Sequence, residues 1–349
     1  MTTSEATIAL REASAEASHA RQSVLSRGVV ARVTIAAIFT AYASARFGDE
    51  TLTYVLAACS TVIVVCGLHV LVHWSGQVSL GQVAFIGVGG FAAANISAEL
   101  EAPLWLAAVG AVAAGCAASL LIGIPALRIR GFPLAITTLA AAYAADRWLF
   151  RQEWVAGQGI GVGFTDDRFL GFDTADPGSY LVPVAAITVL VVGVTARLGS
   201  SAVGRSMRMV AADDEVAASY GIHVGGHKLL AFLFAGGTAA LAGAFAAMSL
   251  GRSTVEMYPV QQSIIYVSAV LMGGRGSVKG SVIAGASLVL FPEILHFGRY
   301  STLVGAVALV LAVRFFPGGI NEATEHQHHA VRGLVDRIRG RGEPDRDAA

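Results

Sequence analysis

The sequence is poor in charged residues. Asp, Glu, Lys and Arg make up 14% of the 349 residues, whereas a typical soluble domain has about 25%. The mean hydropathy is +0.64, and residues 51–98 contain no charged side chain. A soluble protein of this length needs far more polar surface, so the composition excludes that class and indicates an integral membrane protein.

Lysine and cysteine are also scarce. Lysine occurs only at Lys228 and Lys279, and the arginines form no dense basic block, so no nucleic-acid partner is predicted. The three cysteines, Cys59, Cys66 and Cys116, lie in apolar stretches. This favours small buried side chains over a disulfide framework or a metal site. The histidines at 326–329 lack further ligands and are predicted to belong to a solvated tail.

The chain lacks the Gly-x-x-x-x-Gly-Lys-Ser/Thr phosphate loop of nucleotide-binding proteins. Residues 274–281 come near this pattern, but their Lys and Gly stand in reversed order. No catalytic carboxylate pair or Ser/His/Asp set is recognisable either. We therefore predict a protein that is no enzyme and binds no cofactor of its own. If it transports a solute, the energy must come from a partner or an ion gradient.

The apolar stretches predict the fold class. A spanning helix needs about 20 mostly apolar residues to cross roughly 30 Å of hydrocarbon. The sequence therefore predicts an all-α polytopic integral membrane protein with about ten transmembrane helices, of which the eighth is short and compatible with a re-entrant segment. The ten segments are 28–46, 52–72, 82–98, 104–124, 132–150, 179–198, 228–250, 260–274, 280–297 and 301–317.

The placement of Lys and Arg predicts the orientation. With the N-terminus inside and ten alternating spans, 18 of the 24 Lys and Arg residues fall on the inner side, as the positive-inside rule requires. Both termini are then cytoplasmic. The predicted units are a cytoplasmic tail (1–27), a transmembrane domain (28–317) with an external loop (151–178) and a cytoplasmic loop (199–227), and a second cytoplasmic tail (318–349).

The cytoplasmic loop carries an amphipathic pattern. The absence of a helix breaker between Gly204 and Gly221 predicts one helix of about four turns, capped by Gly221. One stripe of this helix holds Met209, Ala212, Val216 and Tyr220. Such a helix is suited to dock on a soluble partner. The alternative is a helix that lies among lipid headgroups, but three consecutive acids (213–215) oppose binding to an anionic leaflet.

The same loop resembles a known family. The run Glu215-Val-Ala-Ala-x-x-Gly221-Ile222, preceded by Gly204-Arg205, resembles the coupling-loop signature of ATP-binding-cassette (ABC) import permeases. It is most similar to the M-type (LivM-like) subunit of the branched-chain amino acid type. Three further segments, at 67–82, 127–139 and 273–293, resemble that family in the expected order. The resemblance covers roughly residues 60 to 317.

The resemblance implies a subunit of a larger machine. It implies a second homologous (LivH-like) permease, two cytoplasmic ATPases that consume ATP, an extracytoplasmic binding protein and a place in the bacterial inner membrane. Branched-chain amino acids are the default substrate, with urea and short amides as the alternative. The sequence departs from the family at His69, commonly Asn, and at Lys279, usually apolar or aromatic. The residues implied in coupling to the ATPase are Gly204, Arg205, Asp214, Glu215, Ala217, Ala218, Gly221 and Ile222.

Two glycine-rich interruptions, Ser75–Gly81 and Gly273–Gly280, are candidates for the translocation path. Non-helical backbone at membrane depth has to face protein or water, although close helix packing through small residues is an equal alternative. Ionisable residues within spans add candidates. In an ion-coupled secondary transporter, the alternative function, His69 or Glu293 would carry protons. The candidate path residues are His69, Gly76, Gln77, Ser79, Gly81, Gln82, Gly276, Ser277 and Glu293.

Overall fold

The computed structural model describes residues 48–127, 132–157, 160–274 and 278–294, with side chains except at residues 132 and 291–294. This part of the chain is predominantly helical, as predicted. The predicted spans at 28–46 and 301–317 and both predicted tails lie outside the described residues. The candidate path residues Gly276 and Ser277 lie outside them as well.

The described residues form eleven α-helices, three short helical turns and four two-residue strands. The first helix continues into a five-residue π-helical turn, Val70–Trp74, and two 3₁₀ turns lie at Leu149–Arg151 and Val255–Met257. The α-helices are α1 Asp49–His69, α2 Gln82–Leu100, α3 Leu104–Ala126, α4 Phe132–Arg147, α5 Glu153–Ala156, α6 Pro177–Ser200, α7 Ala202–Ala212, α8 Asp214–Ser219, α9 Val224–Ser249, α10 Gln262–Gly273 and α11 Val278–Ile294. The strands are β1 Val162–Gly163, β2 Arg168–Phe169, β3 Phe172–Asp173 and β4 Arg252–Ser253.

Five helices in the described part of the chain are long and apolar enough to cross a membrane. They are α1 with its π-turn, α2, α3, α6 and α9, and each corresponds to a predicted span. The predicted spans at 132–150, 260–274 and 280–297 correspond to the shorter helices α4, α10 and α11, of 16, 12 and 17 residues. That these three cross the membrane, and that the total is ten, stay predictions.

Helix α9 lies at the centre of the bundle, where it packs against α1, α2 and α3. Small residues let the backbones approach closely at these crossings. A Cβ atom at Gly89 would lie 2.1 Å from the carbonyl oxygen of Ala240, and one at Gly243 would lie 2.0 Å from that of Ile86. Both positions therefore require glycine at this helix separation.

The helices differ in how far the protein covers them. In the apolar window of α1, 78% of the residues are buried inside the protein, whereas the corresponding share for α3 and α6 is 33%. Helix α1 packs against α6, α9, α10 and α11. It is therefore a core helix, while α3 and α6 present apolar side chains such as Val109 and Leu190 at the periphery.

The predicted external loop has an ordered structure that sequence analysis did not foresee. Strand β1 pairs antiparallel with β4, which follows α9, and β2 pairs with β3 in a hairpin. Gly161 has a φ of +85°, and a Cβ atom there would lie 2.5 Å from the carbonyl oxygen of Ser253. The loop after α5 is thus joined to the loop after α9.

An aromatic cluster fixes the β2–β3 hairpin to the helices. Phe169 is buried, with its ring centroid 6.1 Å from that of Tyr180 on α6 and 5.5 Å from that of Phe245 on α9. The Tyr180 hydroxyl donates a hydrogen bond of 3.3 Å to the carbonyl of Phe245. Edge-to-face contacts of this kind hold the loop in one position over the bundle.

Candidate coupling segment and translocation path

The predicted four-turn coupling helix is two helices, so this prediction was wrong. The break falls at Asp213, whose backbone is extended with φ −160° and ψ 120°. Its carboxylate accepts hydrogen bonds from the backbone N–H groups of Glu215 (2.8 Å) and Val216 (3.0 Å). Asp213 is therefore the N-cap of a new helix, and this local bond competes with continuation of α7.

The ends of the segment are also capped. At its start, the Ser201 hydroxyl accepts a hydrogen bond from the N–H of Gly204. At its end, Gly221 has a φ of +77° and donates to the carbonyl of Ala218, while Ile222 donates to that of Ala217. These paired bonds form a Schellman motif. The predicted role of Gly221 as the C-terminal cap is confirmed.

The apolar stripe predicted on this segment is its exposed face. Met209, Val216 and Tyr220 are 39%, 50% and 74% exposed, and Ala212 is exposed as well. A different face packs on the π-turn, α6 and α9, through residues that include Met207, Val210 and Ala217. The segment α7–α8 is thus apolar on two faces, one of which is uncovered within the described structure.

The implied coupling residues lie on both faces of α7–α8. Gly204 packs where a Cβ atom would meet the carbonyl oxygen of Leu198 at 2.2 Å, which allows α7 to fold back tightly on α6. Asp214 forms a half-buried ion pair with Lys228 of α9. The side chains of Arg205, Glu215 and Ala218 are exposed, and Ile222 is half-buried.

The Ser75–Gly81 interruption lies directly beside the coupling segment. Gly76 has a φ of +68°, and its Cα packs on Ala211 of α7. An open cleft of about 470 Å³ lies between the two segments, lined by Gly76 and Gln77 on one side and by Asp213, Asp214 and Lys228 on the other. The candidate path and the candidate coupling segment thus share one surface.

Side chains of the interruption satisfy much of its own backbone and that of its neighbours. The Ser79 hydroxyl accepts a bond of 3.3 Å from the N–H of Gly81, and Gln77 accepts one of 3.2 Å from the Ser75 hydroxyl. The Leu80 N–H donates to the Thr138 hydroxyl of α4 at 2.9 Å. Buried backbone polar groups outside regular structure need such partners. Some of the polar side chains proposed to line the path therefore have a structural role.

His69 and Gln82 are completely buried, and each has polar atoms without a hydrogen-bond partner among the described residues. His69 Nδ1 lies 2.7 Å from the hydroxyl oxygen of Ser281 on α11, but its Nε2 has no such partner. Neither the amide nitrogen nor the amide oxygen of Gln82 has one. Burial of an unpaired amide is costly, so these two residues are the strongest path candidates.

For Glu293, another candidate path residue, the structure describes only the backbone. Glu293 lies in α11, but its side chain is outside the described set. Within the described residues, no group of three His, Cys, Asp or Glu side chains is arranged to hold a metal ion. Sequence analysis missed Trp74, Thr138, Ser263, Lys228 and Ser281 as members of this region.

Backbone hydrogen bonds favour the ionised form of Asp213 in the exposed segment. The backbone N–H groups of Val216 and Glu215 lower the pKa of Asp213 from its usual value, because they bind the carboxylate form. Arg205 and Arg208 donate to backbone carbonyls of Ser200 and Gly199 at the α6–α7 corner. An exposed apolar stripe with charged residues at its edges is typical of a surface that binds another protein.

These features define the class of protein. Several helices are apolar and long enough to cross a bilayer. His69 and Gln82, which flank the interruption, carry buried polar atoms without a partner among the described residues, and an amphipathic segment is uncovered beside it. The chain is a multi-pass membrane protein of the kind that moves solutes.

Comparison with known proteins identifies the family. Residues 50–313 match the family described as "Branched-chain amino acid transport system / permease component". This is more than half of the chain, which therefore belongs to that family. It is the transmembrane permease subunit of an ABC importer, not an enzyme. The predicted resemblance is confirmed, and the ion-coupled alternative is not supported.

Two curated relatives share one name. The chain is 27% identical over 299 residues to the high-affinity branched-chain amino acid transport system permease protein LivM of Escherichia coli strain K12. That alignment covers 78% of this chain and 70% of the relative. The LivM protein of Salmonella typhimurium strain LT2 is 28% identical over 291 residues, covering 76% and 68%. No solved structure matches the chain.

Proposed function

We propose that this chain and a second homologous (LivH-like) permease subunit form the membrane path of an importer for branched-chain amino acids. Two cytoplasmic ATPases consume ATP to drive it, and an extracytoplasmic binding protein delivers the substrate. The importer lies in the bacterial inner membrane. The family description and the names of both relatives support the substrate class. Urea and short amides remain the alternative substrates.

The observation that carries the proposal is the uncovered stripe on α7–α8. The helix pair is buried on one face and exposes Met209, Val216 and Tyr220 on another. Such an exposed apolar stripe is suited to bind in a hydrophobic groove of a partner protein. We assign this stripe to contact with an ATPase subunit. Gly204, Asp214 and Gly221 position the segment through the tight corner, the ion pair with Lys228 and the C-terminal cap.

The predicted topology follows from this assignment. ATPase docking requires α7–α8 to be cytoplasmic, which places the Ser75–Gly81 interruption on the same side and the β-ribbons on the outside. With ten spans, both termini are then cytoplasmic. Single-cysteine labelling with a membrane-impermeant reagent tests this at Ser219 and Ala175, which are exposed on opposite predicted sides. Labelling of Ser219→Cys from outside intact cells would overturn the topology.

The path is proposed to run along the end of α1 and the start of α2. His69, Gly76, Gln77, Ser79, Gly81 and Gln82 lie there, and the cleft beside Gln77 opens next to the coupling segment. A displacement of α7 would thus reach the interruption without an intermediate element. Gly276 and Ser277 are retained as candidates because they lie in the second glycine-rich interruption, and Glu293 because it is an ionisable residue within a predicted span.

Reconstitution tests the function directly. The two permease subunits are reconstituted in liposomes with the two ATPases and ATP inside, and binding protein with labelled leucine is added outside. We expect uptake that requires both ATP and the binding protein. Isoleucine and valine should compete with leucine, whereas urea should not. Uptake driven by a proton gradient without ATP would contradict the importer, and competition by urea alone would contradict the substrate class.

A further inference from the structure

A π-helical turn interrupts the most buried helix of the bundle at its junction with the glycine-rich segment. Val70–Trp74 follow α1 directly, and the N–H of Ser75 donates to the carbonyl of Val70, five residues earlier, at 3.1 Å. Single π-turns within α-helices frequently occur at functional sites. A π-turn holds one more residue than an α-turn, so its relaxation would rotate the following side chains.

Trp74, the last residue of this turn, is inserted into the corner between α6 and α7. The guanidinium carbon of Arg208 lies 5.7 Å from the centroid of the Trp74 ring. Gly199 leaves room for the indole, because a Cβ atom there would lie 2.6 Å from it. Arg208 also donates a hydrogen bond of 2.9 Å to the carbonyl of Gly199. The indole is therefore enclosed by the base of the coupling segment.

On its other side, Trp74 contacts His69, which in turn contacts His73. The ring centroid of His69 lies 5.2 Å from that of Trp74 and 4.9 Å from that of His73, both edge to face. His69 is bonded to Ser281 of α11, and His73 Nε2 donates to the carbonyl of Val270 on α10 at 3.0 Å. The end of α1 and the π-turn that follows it thus contact the coupling segment, α10 and α11.

We propose that Trp74 is a positioning residue that passes displacement of α7 to α10 and α11 through His69 and His73. The contacts are contiguous from the guanidinium of Arg208 to the hydroxyl of Ser281, and the π-turn supplies an element that can exist in two arrangements. This inference rests on the proposed docking of α7–α8 to an ATPase. It adds the route by which that docking acts on the helices beside the path.

The test uses the reconstituted importer and measures two rates, leucine uptake and ATP hydrolysis. In Trp74→Ala, the ATPases should stay bound and hydrolysis stimulated by the binding protein should persist, while uptake per ATP falls about five- to tenfold. Trp74→Phe keeps a ring in the corner and should restore most of this ratio. Trp74→Ala with an unchanged ratio would overturn the proposal.

Phe150→Ala is the matched control, because Phe150 is an equally buried ring that packs on Phe91 and Tyr258, away from α7. Its uptake per ATP should stay at the wild-type value, and an equal loss there would show that the ratio reports general destabilisation. Failure of the wild-type subunits to associate with an ATPase would instead refute the proposed function itself.

A smaller substitution keeps the proposal testable if Trp74→Ala does not fold. Ser281→Ala removes the hydroxyl that lies against His69 Nδ1 and should lower uptake per ATP about twofold to threefold. Combined with Trp74→Phe, its effect should be non-additive, because both changes act on one chain of contacts. A fully additive result, or an unchanged ratio in Ser281→Ala, would refute the route through His69.

Discussion

Gly76 of the glycine-rich interruption lies against Ala211 of the coupling segment. A Cβ atom at Gly76 would lie 3.3 Å from the Cα of Ala211, and the φ of Gly76 is +68°. Glycine is thus favoured at this position by the backbone conformation and also by the close approach of α7. A residue proposed for the path and a residue of the coupling segment are in direct contact.

Replacement of Gly76 by alanine should therefore lower transport by more than the accompanying loss of protein stability accounts for. The positive φ alone costs about 1–2 kcal/mol for a residue with a side chain, and the added methyl group also presses on Ala211. We expect leucine uptake by the reconstituted importer to fall several-fold. The apparent Tm of the purified protein should fall by only a few degrees.

Gly251→Ala is the matched control for this substitution. Gly251 has a φ of +65° but open space around it, so it carries the same conformational cost without the contact. Both variants should lose a similar amount of thermal stability, and only Gly76→Ala should lose uptake. Equal loss of uptake in the two variants would show that the contact with Ala211 has no part in transport.

The uncovered stripe on α7–α8 predicts a loss of association without a loss of folding. In Met209→Asp, the side chain is already exposed, so helix content and apparent Tm should stay near wild type. A charge placed in the centre of an apolar contact should weaken binding of the ATPase at least about tenfold, measured by co-purification from detergent at graded concentrations.

Val203→Asp provides the comparison for Met209→Asp. Val203 is 37% exposed and Met209 is 39% exposed, on the same helix, but Val203 lies off the stripe at helical spacing. We expect its ATPase binding to change far less. If both aspartates weaken binding equally, the contact is not specific to the stripe. If neither does, α7–α8 is not the docking surface.

Asp213 predicts a pH dependence of the second coupling helix. Hydrogen bonds from the N–H groups of Val216 and Glu215 lower the pKa of Asp213 below its ordinary value of 3.8. A lowered pKa in the folded state stabilises α8 above pH 3.8, and this contribution is lost as the pH falls through the folded-state pKa. Hydrogen exchange of the Glu215 and Val216 amides, corrected for intrinsic rates, should accelerate in that range.

Two substitutions separate the charge from the cap. Asp213→Asn keeps an oxygen acceptor, so protection of the two amides should persist. Because asparagine does not titrate, this protection should no longer change as the pH falls. Asp213→Ala should lose the protection at every pH. Strong protection in Asp213→Ala would show that α8 is held by its buried face through Ala217 instead of by its cap.

The long helices were predictable because apolar length alone sets them. The span predicted at 104–124 is observed as Leu104–Ala126, and the one at 179–198 as Pro177–Ser200. The break at Asp213 was not predicted, because the sequence has no glycine or proline between Gly204 and Gly221, although the Asp-Asp-Glu run is an N-cap signal. Acidic residues that cap a helix can end the preceding one equally well.

Long-range pairings in the candidate site were not predictable from one sequence. His69 and Ser281 are 212 positions apart, and no local pattern relates them. The pairing of β1 with β4 joins two-residue strands that are too short for an alternating pattern. Tertiary packing alone brings these residues together, so their partners appear only in the folded chain.

The effect of Gln82→Leu on stability distinguishes a functional role of Gln82 from a structural one. Its amide is fully buried, and neither polar atom is hydrogen-bonded within the described residues. Leucine has a similar volume and no polar atom, so Gln82→Leu removes an unpaired buried group whose burial costs about 1–3 kcal/mol. The apparent Tm of the purified protein should therefore rise by a few degrees, while leucine uptake falls.

Ser263→Ala is the contrasting control. The Ser263 hydroxyl accepts a hydrogen bond of 3.1 Å from the N–H of Val83, the residue after Gln82, so its loss leaves a buried donor unpaired and should lower the apparent Tm. A polar group that destabilises the resting protein but is needed for uptake must find its partner in another state, or in the solute. If Gln82→Leu instead lowers the Tm, or leaves uptake intact, Gln82 is a structural residue and does not belong to the path.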